Sequence, residues 1–250
     1  MMICNSATRV LLALLVILSF QQAASQLPGY GSKIVPDLVY ESKALSPFYS
    51  SPEFAFIDLN DNGVFEPTDP VYLNINPADG TVSENDVRIT PFEGFYPAGM
   101  QVRAIHQDHD KALIRFGSYR FPPAELRYFD VNGDKVYSLE DPVYLDLNPG
   151  TVTAGDIRIT GYPLDIYGQY SSDSMGPGSR VRDGDPDSDK PTITLPGMLS
   201  FYNSNGNVDN RGLAVYDACD LVYLDTQYPF SIVTINDVLM SLCEQQAMVL

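Results

Sequence analysis

Residues 56–76 (FIDLNDNGVFEPTDPVYLNIN) decide the fold, because residues 128–148 (YFDVNGDKVYSLEDPVYLDLN) repeat them without a gap, at a period of 72 residues. A third copy begins at residues 201–205 (FYNSN) and, after an insertion, returns at residues 220–225 (DLVYLD). Self-similarity at a fixed period is the sequence signature of a repeat protein. The sequence therefore predicts three tandem copies of one structural unit.

Shorter matches on either side of each copy define the boundaries of these units. A second block follows each copy and reads GTVSENDVRIT, GTVTAGDIRIT and SIVTINDVLM, in residues 80–90, 150–160 and 231–240. A shorter echo opens each unit at a glycine, with GSKIV, GMQVR and GSRVR in residues 31–35, 99–103 and 178–182. We therefore predict units 1, 2 and 3 at residues 31–98, 99–177 and 178–250.

Each unit has the sequence pattern of β-structure. Residues 54–57 (FAFI), 126–129 (LRYF) and 199–202 (LSFY) are short, mostly apolar segments followed by Asp or Asn, and residues 112–116 (ALIRF) and 192–195 (TITL) resemble further strands. The chain has 19 Pro and 18 Gly, and no periodicity of helical length. The blocks PVYL and DVRIT follow aspartates that can cap a helix, so we expect single helical turns there. The predicted fold is mainly β, with three tandem β-rich repeats and short helical turns at the loops.

The composition is strongly acidic. The 250 residues include 32 Asp and Glu against 15 Lys and Arg, which gives a net charge of −17, while 44% hydrophobic residues are enough for a packed core. Such a surface repels the phosphates of nucleic acids and anionic lipids, and it repels itself unless cations neutralise part of it. The charge therefore indicates metal binding and argues against a nucleic acid partner.

Residues 1–25 have the pattern of a cleavable secretory signal. An apolar run in residues 10–20 (VLLALLVILSF) is too short for a good membrane-spanning helix, and small residues at 23–25 suit cleavage. An uncleaved N-terminal anchor is the alternative. The mature chain would keep Cys219 and Cys243, which can form one disulfide in an oxidising compartment or pair with another chain. We expect a secreted, cell-surface protein with no membrane span after signal cleavage.

Two acidic segments, residues 58–69 and 130–141, place oxygen-bearing side chains at alternate positions. Ca²⁺ takes six to eight oxygen ligands, and a 12-residue EF-hand loop supplies them from positions 1, 3, 5, 7, 9 and 12 around a glycine turn at position 6. Gly63 occupies that turn in the first loop, whereas Lys135 does so in the second, at a cost on the order of 1 kcal/mol. An Asx-rich turn that satisfies its own backbone is the alternative. The predicted ligands, with a backbone carbonyl at position 7, are Asp58, Asn60, Asn62, Val64, Glu66 and Asp69 in unit 1, and Asp130, Asn132, Asp134, Val136, Ser138 and Asp141 in unit 2.

Both loops resemble those of type I dockerins, through the alternation D-x-N-x-[DN] and the aspartate at position 12. The second blocks resemble the later half of a dockerin loop, from glycine at position 6 to aspartate at position 12. They read either as partial calcium sites or as turns paired to the first loop. Further candidate ligands are therefore Asp79, Ser83, Asp86, Asp146, Asn148 and Asp156 in the second blocks, and the poorly charged set Asn203, Asn205, Asn207 and Asp220 in unit 3.

The sequence departs from dockerins after each loop. A dockerin continues into a longer, leucine-rich helix that docks a cohesin, whereas here PVYL or DVRIT follows and the next block begins at once. The overall layout is more similar to repeat-containing surface proteins of archaea, of the sheath or S-layer class. The resemblance thus implies calcium as the ligand of the loops, with a structural role at the cell surface.

Two other polar clusters have more than one interpretation. Residues 183–189 (DGDPDSD) are either an added cation site or an acidic hairpin tip, since they align with the turn at residues 108–111 (DHDK). His106 and His109 are the only histidines, and zinc would require further His or Cys ligands nearby. We interpret this pair as part of a solvated turn.

Three functions are compatible with these features. The first is a structural or adhesive cell-surface protein whose repeats Ca²⁺ rigidifies, with self-association or a cell-envelope partner. The second is a dockerin-like module that docks a partner protein, and the third is a secreted hydrolase that uses calcium for stability. The common nucleophile, zinc-protease, P-loop and dinucleotide-binding motifs are missing from the sequence. We therefore expect no enzymatic activity and favour the first function.

Overall fold

The computed structural model describes residues 29–33, 40–41, 43–44, 52–94, 96–118, 121, 123–164, 169–170, 175–217, 220–226, 232–234 and 236–242. The expected signal segment, Cys219 and Cys243 lie outside these residues. The described chain is mainly β, as predicted, with almost no helix. Its strands are β1 Tyr40–Glu41, β2 Lys43–Ala44, β3 Glu53–Phe56, β4 Val71–Asn74, β5 Val87–Arg88, β6 Ile114–Arg115, β7 Glu125–Tyr128, β8 Val143–Asp146, β9 Ile157–Arg158, β10 Ile193–Thr194, β11 Met198–Tyr202, β12 Leu221–Asp225, β13 Ile232–Val233 and β14 Val238–Leu239.

Three four-stranded antiparallel sheets have the same strand order. Each is built on a hairpin whose two strands flank one acidic loop: β3 and β4, β7 and β8, or β11 and β12. The strand near the end of the second block pairs with the later hairpin strand, and a fourth strand pairs with the earlier one. The sheets therefore run β5-β4-β3-β6, β9-β8-β7-β10 and β14-β12-β11-β2.

The fourth strand of each sheet comes from a different predicted unit. β6 belongs to unit 2 and completes the sheet of unit 1, while β10 belongs to unit 3 and completes the sheet of unit 2. β2, near the start of the chain, completes the sheet of unit 3, where Ala44 lies opposite Ser200 and Lys43 opposite Phe201. β1 also pairs with β13, placing Tyr40 opposite Val233. The described chain thus closes on itself as a ring of three sheets.

The blocks that we expected to form helical turns are strands instead. PVYL provides β4 and β8, and D-[VI]-R-I-T provides β5 and β9. All four residues of β4 and of β8 are buried, so both faces of these strands are covered. Branched and aromatic side chains suit such a pleated, buried surface. The helix caps do not form, because Asp69 and Asp141 accept hydrogen bonds from N–H groups of their own loops.

Side chains from all three sheets pack into one central core. Phe56, Tyr128 and Phe201 occupy the same position of the first hairpin strand and are at most 2% exposed. Their direct cross-strand partners in the same cluster are Val71, Val143 and Val222. Burial of each such side chain stabilises the fold by about 1.5–3 kcal/mol. The three sheets are therefore held together by one shared hydrophobic cluster.

Three glycine turns, one from the start of each unit, meet other units at close range. Their positive φ angles are 73°, 80° and 78°, and the neighbours of an added Cβ would be Pro177 at Gly31, Tyr30 at Gly99 and Ala98 at Gly178. A Cβ on Gly99 would lie 2.5 Å from the Tyr30 side chain. Only glycine allows both the left-handed backbone and this approach, so the opening glycines of the units fix where the units meet.

Candidate metal centres

The first acidic loop draws four polar side chains together. Asp58 accepts hydrogen bonds from the backbone N–H groups of Asn62 (3.2 Å) and Gly63 (2.6 Å). Glu66 is held from two sides, since Asn60 Nδ2 donates to Oε2 at 2.9 Å and Asn62 Nδ2 to Oε1 at 3.0 Å. The turn at Gly63 has the expected positive φ, 71°. Residues from positions 1, 3, 5 and 9 therefore converge.

The second loop has a similar geometry, but one asparagine rather than two donates to the carboxylate near its end. Asp130 accepts hydrogen bonds from the N–H groups of Gly133 and Lys135, both at 2.7 Å. Lys135 has φ of 63°, the strained conformation expected from its place in the turn. Asn132 Nδ2 donates to Glu140 Oε1 at 3.1 Å, so Glu140, which the sequence interpretation did not include, supplies the carboxylate.

The position-12 aspartates of these two loops are buried and bonded to the backbone. Asp69 accepts the N–H groups of Leu59 (3.1 Å) and Glu66 (2.8 Å), one on each carboxylate oxygen. Asp141 does the same at 2.9 and 2.8 Å with Val131 and Ser138. An ionised carboxylate accepts at about four sites, so these bonds leave acceptor capacity. Both aspartates therefore close their loops, whatever else they bind.

In the third loop the polar side chains also come together, although an insertion separates them in the sequence. Asn205 Nδ2 and Asn207 Nδ2 donate to the two carboxylate oxygens of Asp217, at 2.6 and 2.5 Å, as the two asparagines of unit 1 do to Glu66. Asp220 closes the loop by accepting the N–H groups of Ser204 (2.8 Å) and Asp217 (3.1 Å). Asp217 was missing from the predicted set, although its spacing of three from Asp220 matches that of Glu66 from Asp69.

The second blocks contain closing aspartates of the same kind. Asp86 accepts the N–H groups of Ile75 and Ser83, both at 2.8 Å. Asp156 and Asp237 accept equivalent pairs. Burial raises the pKa of Asp86 to about 7 and that of Asp156 to about 6, although these hydrogen bonds counteract it. Asp237, also missed, shares the upward pKa shift from burial, and the T-x-x-D pattern at residues 234–237 was its signal.

Besides burial, two other second-block candidates, Asp79 and Asp146, raise the pKa of Asp86 and Asp156 by charge repulsion, but their own contacts differ. Asp79 is exposed and accepts only the N–H of Thr81 (3.2 Å) among the described contacts. Asp146 is fully buried, accepts the hydroxyl of Thr192 at 2.8 Å and lies 3.4 Å from Arg127 Nε. The Asn148 side chain is exposed. The hydrogen bonds of the described residues thus join neither Asp79 nor Asn148 to a closing aspartate, and Arg127 partly neutralises Asp146.

The closing aspartate of the second loop also carries a contact between units. Lys33 Nζ donates to the backbone carbonyls of Ser138 (2.7 Å), Leu139 (2.7 Å) and Asp141 (2.8 Å), and it lies 4.6 Å from the centre of the Tyr137 ring. Burial lowers the pKa of Lys33 to about 7, and the nearby carboxylates of Asp141 and Glu140 counteract that shift.

Equivalent contacts join the other units in a cycle. Lys33, Gln101 and Arg180 each stand two residues after an opening glycine. Gln101 Nε2 donates to the Asp220 carbonyl at 2.8 Å, and Arg180 Nη2 donates to the Asp69 carbonyl at 2.5 Å. Unit 1 thus holds the loop of unit 2, unit 2 holds the loop of unit 3, and unit 3 holds the loop of unit 1. We call these three contacts the loop clamps.

The acidic segment 183–189 forms a buried ion pair. Asp187 is fully buried, and its carboxylate accepts Arg158 Nε (2.8 Å), Arg158 Nη2 (2.7 Å) and the hydroxyl of Tyr144 (3.0 Å). Asp108 holds Arg88 in the same way in the preceding joint. His106 lies in that joint rather than in solvent, only 7% exposed, and its Nδ1 accepts the N–H of Arg103. The aligned turns therefore anchor one unit to the next.

The side chains available as metal ligands limit which ions these sites can bind. Within the described residues, no three His, Cys, Asp or Glu side chains form a group that could hold a metal ion. Any cation in the loops would depend on amide and backbone oxygens as well, which suits a hard ion such as Ca²⁺ better than zinc.

No protein family, curated protein or solved structure matches this chain. In the part of the chain that the structure describes, no helix is long and apolar enough to cross a bilayer.

Proposed function

We propose that this protein is a secreted structural or adhesive component of a cell surface, whose ring of three sheets is rigidified by Ca²⁺ bound in the acidic loops. The observation that carries the proposal is the convergence of Asp58, Asn60, Asn62 and Glu66 in the first loop. The proposed ligands of the second loop are Asp130, Asn132, Asp134 and Glu140, with the Val136 carbonyl and Ser138.

The amide contacts support a cation at these positions. Asn60 and Asn62 direct their NH₂ groups at Glu66, and an amide turned by a half rotation about its last bond presents oxygen where nitrogen now lies. A Ca²⁺ ion would favour that rotation, because it binds carboxylate and amide oxygens. The same asparagine side chains thus serve as donors to Glu66 without metal and as ligands with it.

The charge and the loop clamps connect metal binding to the rigidity of the whole ring. A net charge of −17 repels itself, and bound divalent cations would relieve that repulsion. Each first-block loop ends on an aspartate whose carbonyl holds a residue of another unit. Ordering the loops would therefore strengthen the joints between units. The expected secretory signal favours a location outside the cell, where calcium is abundant, and we propose no catalytic activity.

Thermal unfolding with and without calcium tests this function. We expect the melting temperature to rise when excess chelator is replaced by calcium, because a ligand that binds only the folded state stabilises it by about 2.7 kcal/mol at 100 times its Kd. Magnesium at the same concentration should stabilise less, since it demands a smaller octahedral site. Asp58→Ala and Asp130→Ala should each reduce the calcium effect, whereas Asp183→Ala, in an exposed turn, should leave it intact. Identical melting temperatures in millimolar calcium and in chelator would overturn the proposal.

A second candidate function, partner docking, is favoured by apolar side chains on the same loops. Leu59 and Val64 in the first loop, and Val131 and Val136 in the second, are between 45% and 63% exposed. They occupy equivalent positions, so each loop presents a similar pair of apolar side chains, and exposed apolar surface can mark an interaction site. Docking predicts a monomer that binds a partner saturably, whereas the structural role predicts self-association. Size measurements across a range of protein concentrations discriminate between the two.

A further inference from the structure

The start of the described chain closes the ring. We call residues 29–33, 40–41 and 43–44 the closing segment. Gly31 donates to the carbonyl of Leu239 at 2.8 Å, and Leu239 donates back to Ser32 at 3.1 Å. Farther along, β1 pairs with β13 and β2 pairs with β11. Every one of these backbone partners belongs to unit 3, so unit 3 is completed by residues from the opposite end of the chain.

The other two sheets are completed in the same way, but by residues that follow directly in the chain. Gly99 donates to the Arg88 carbonyl at 2.6 Å, and Gly178 donates to the Arg158 carbonyl at 2.7 Å. β6 and β10 then pair with β3 and β7 as β2 pairs with β11. The closing interface is thus the only one of the three in which the completing segment is not the continuation of the unit that it completes.

Two side chains near the beginning of the closing segment, those of Tyr30 and Lys33, are as deeply buried as residues of the core. Lys33 is 1% exposed and occupies its loop clamp, and Tyr30 is 7% exposed with its hydroxyl donating to the Ile89 carbonyl at 3.3 Å. Without this segment the third sheet would expose the edge of β11. The second acidic loop, in unit 2, would also lose the Lys33 donor to three of its carbonyls. Unpaired strand edges and unsatisfied acceptors are both costly, so the ring requires a closing segment from some chain.

From these contacts we infer that the closing segment is exchangeable, and that the closing segment of a second copy of this chain completes the third sheet to join the copies head to tail. A second copy of the chain would then be the partner in the self-association described above, and in this respect the inference rests on the proposed function. The described backbone pairings of the closing segment with unit 3 would be the same whether the segment came from its own chain or from another. A heterologous interface of this kind forms a ring when it closes and an open chain when it does not.

The balance between the two forms is set by concentration. The ring benefits from an effective concentration of its own segment that is on the order of millimolar for a flexible connection. Dilute protein should therefore be monomeric, and protein that is crowded or refolded at comparable concentration should exchange segments. A dense surface layer provides such crowding.

Paired single-cysteine variants test the exchange. Ala44 and Ser200 are direct partners across β2 and β11, and Cα atoms of opposite antiparallel residues lie about 4.5–5.5 Å apart, which suits a disulfide. With the three native cysteines replaced by serine, Ala44→Cys and Ser200→Cys chains are unfolded, mixed, refolded at high concentration and oxidised. A disulfide between the two single variants can form only between chains. We expect a mixed dimer on a non-reducing gel, and its absence would overturn the inference.

A matched pair in the first sheet is the control. Ala55 and Arg115 are the equivalent partners across β3 and β6, and exchange there would have to move units 2 and 3 together. The mixture of Ala55→Cys and Arg115→Cys should yield several times less mixed dimer, and equal yields would also overturn the inference. The double variant Ala44→Cys/Ser200→Cys checks the pairing itself, which is refuted if no disulfide forms in dilute protein. All arms are run in chelator and in calcium, so that loss of the calcium effect and loss of exchange are read separately.

Discussion

Lys33 Nζ donates a 2.8 Å hydrogen bond to the backbone carbonyl of Asp141, 108 residues further along the chain. Through this contact the start of the chain holds the end of the second acidic loop. The carboxylate of Asp141 meanwhile accepts two N–H groups of that loop, so one residue closes the loop and joins two units. Local turn chemistry and the closure of the ring therefore depend on the same aspartate.

Lys33→Met should destabilise the protein strongly. The substitution keeps the apolar stem but leaves the buried carbonyl of Asp141 and the half-buried carbonyls of Ser138 and Leu139 without their donor. An unsatisfied buried group costs about 1–3 kcal/mol. We expect a loss of several kcal/mol in the free energy of unfolding, measured by denaturant titration. The control is Lys111→Met, because Lys111 is partly exposed and its nearest carboxylate, on Glu93, is 4.0 Å away. Equal effects of the two substitutions would contradict the role of the Lys33 clamp.

Gly99→Ala should cost more than its backbone conformation alone explains. A left-handed conformation costs a residue with a Cβ about 1–2 kcal/mol, and the clash with Tyr30 adds about 1–3 kcal/mol of overpacking. Gly206→Ala measures the cost of the backbone conformation alone, since Gly206 has φ of 74° and no atom within 4 Å of its added Cβ. The difference between the two variants in unfolding free energy measures the close approach of the units. A difference near zero would place Gly99 outside such a contact.

Asp187→Ala should unfold the joint between units 2 and 3, whereas Asp183→Ala in the same turn should not. Removing Asp187 leaves the buried Arg158 without its main partner, and breaking a buried pair in this way costs about 3–5 kcal/mol. Asp183 is exposed, so its loss should change stability by less than about 0.5 kcal/mol. Thermal unfolding of both variants in chelator checks the prediction. If Asp187→Ala were as stable as wild type in chelator and less stable only in calcium, the segment would be a cation site instead.

The strands and the loop turns could be predicted from the sequence because both depend on neighbouring residues. FAFI, LRYF and LSFY coincide with β3, β7 and β11 within a residue or so, and Gly63 has the positive φ expected of it. The helical turns at PVYL were wrong, since the capping power of Asp69 is directed back at Leu59 and Glu66. A capping rule considers only the residues that follow the aspartate, so it does not include Leu59, which lies ten residues before Asp69 and donates to its carboxylate.

The joints between units could not be predicted, because their partners are distant in sequence. No pattern in a single sequence indicates that Lys33 and Asp141 are in contact. The clamp can be recognised only when the positions of the three sheets are known. The same holds for Asp187, whose acidic neighbours suggested a surface turn although it is fully buried against Arg158. Asp217 was missed for a different reason, since the insertion before it broke the alignment with Glu66.

The buried aspartates of the second blocks should make the metal-free protein lose stability as the pH rises. Burial raises the pKa of Asp86 to about 7 in the folded state, whereas an unfolded aspartate has a pKa near 3.9. Between about pH 4 and 7 the folded state therefore binds more protons than the unfolded state, so the free energy of unfolding falls with increasing pH in that window. Denaturant unfolding in chelator at pH 5 and pH 8 measures the fall. Asp86→Asn should reduce it because the titrating carboxyl is gone.

Asp61→Asn is the control for this titration. Asp61 lies exposed in the first acidic loop. Its replacement therefore removes one negative charge, as Asp86→Asn does, but removes no buried carboxyl. This variant should keep most of the wild-type difference between pH 5 and pH 8. If both variants reduced the difference equally, general repulsion within the acidic chain would account for the pH dependence, and Asp86 would have no particular part in it. Bound calcium should lessen the fall with pH in wild type, because a divalent ion among the loops lowers the cost of keeping nearby carboxylates ionised.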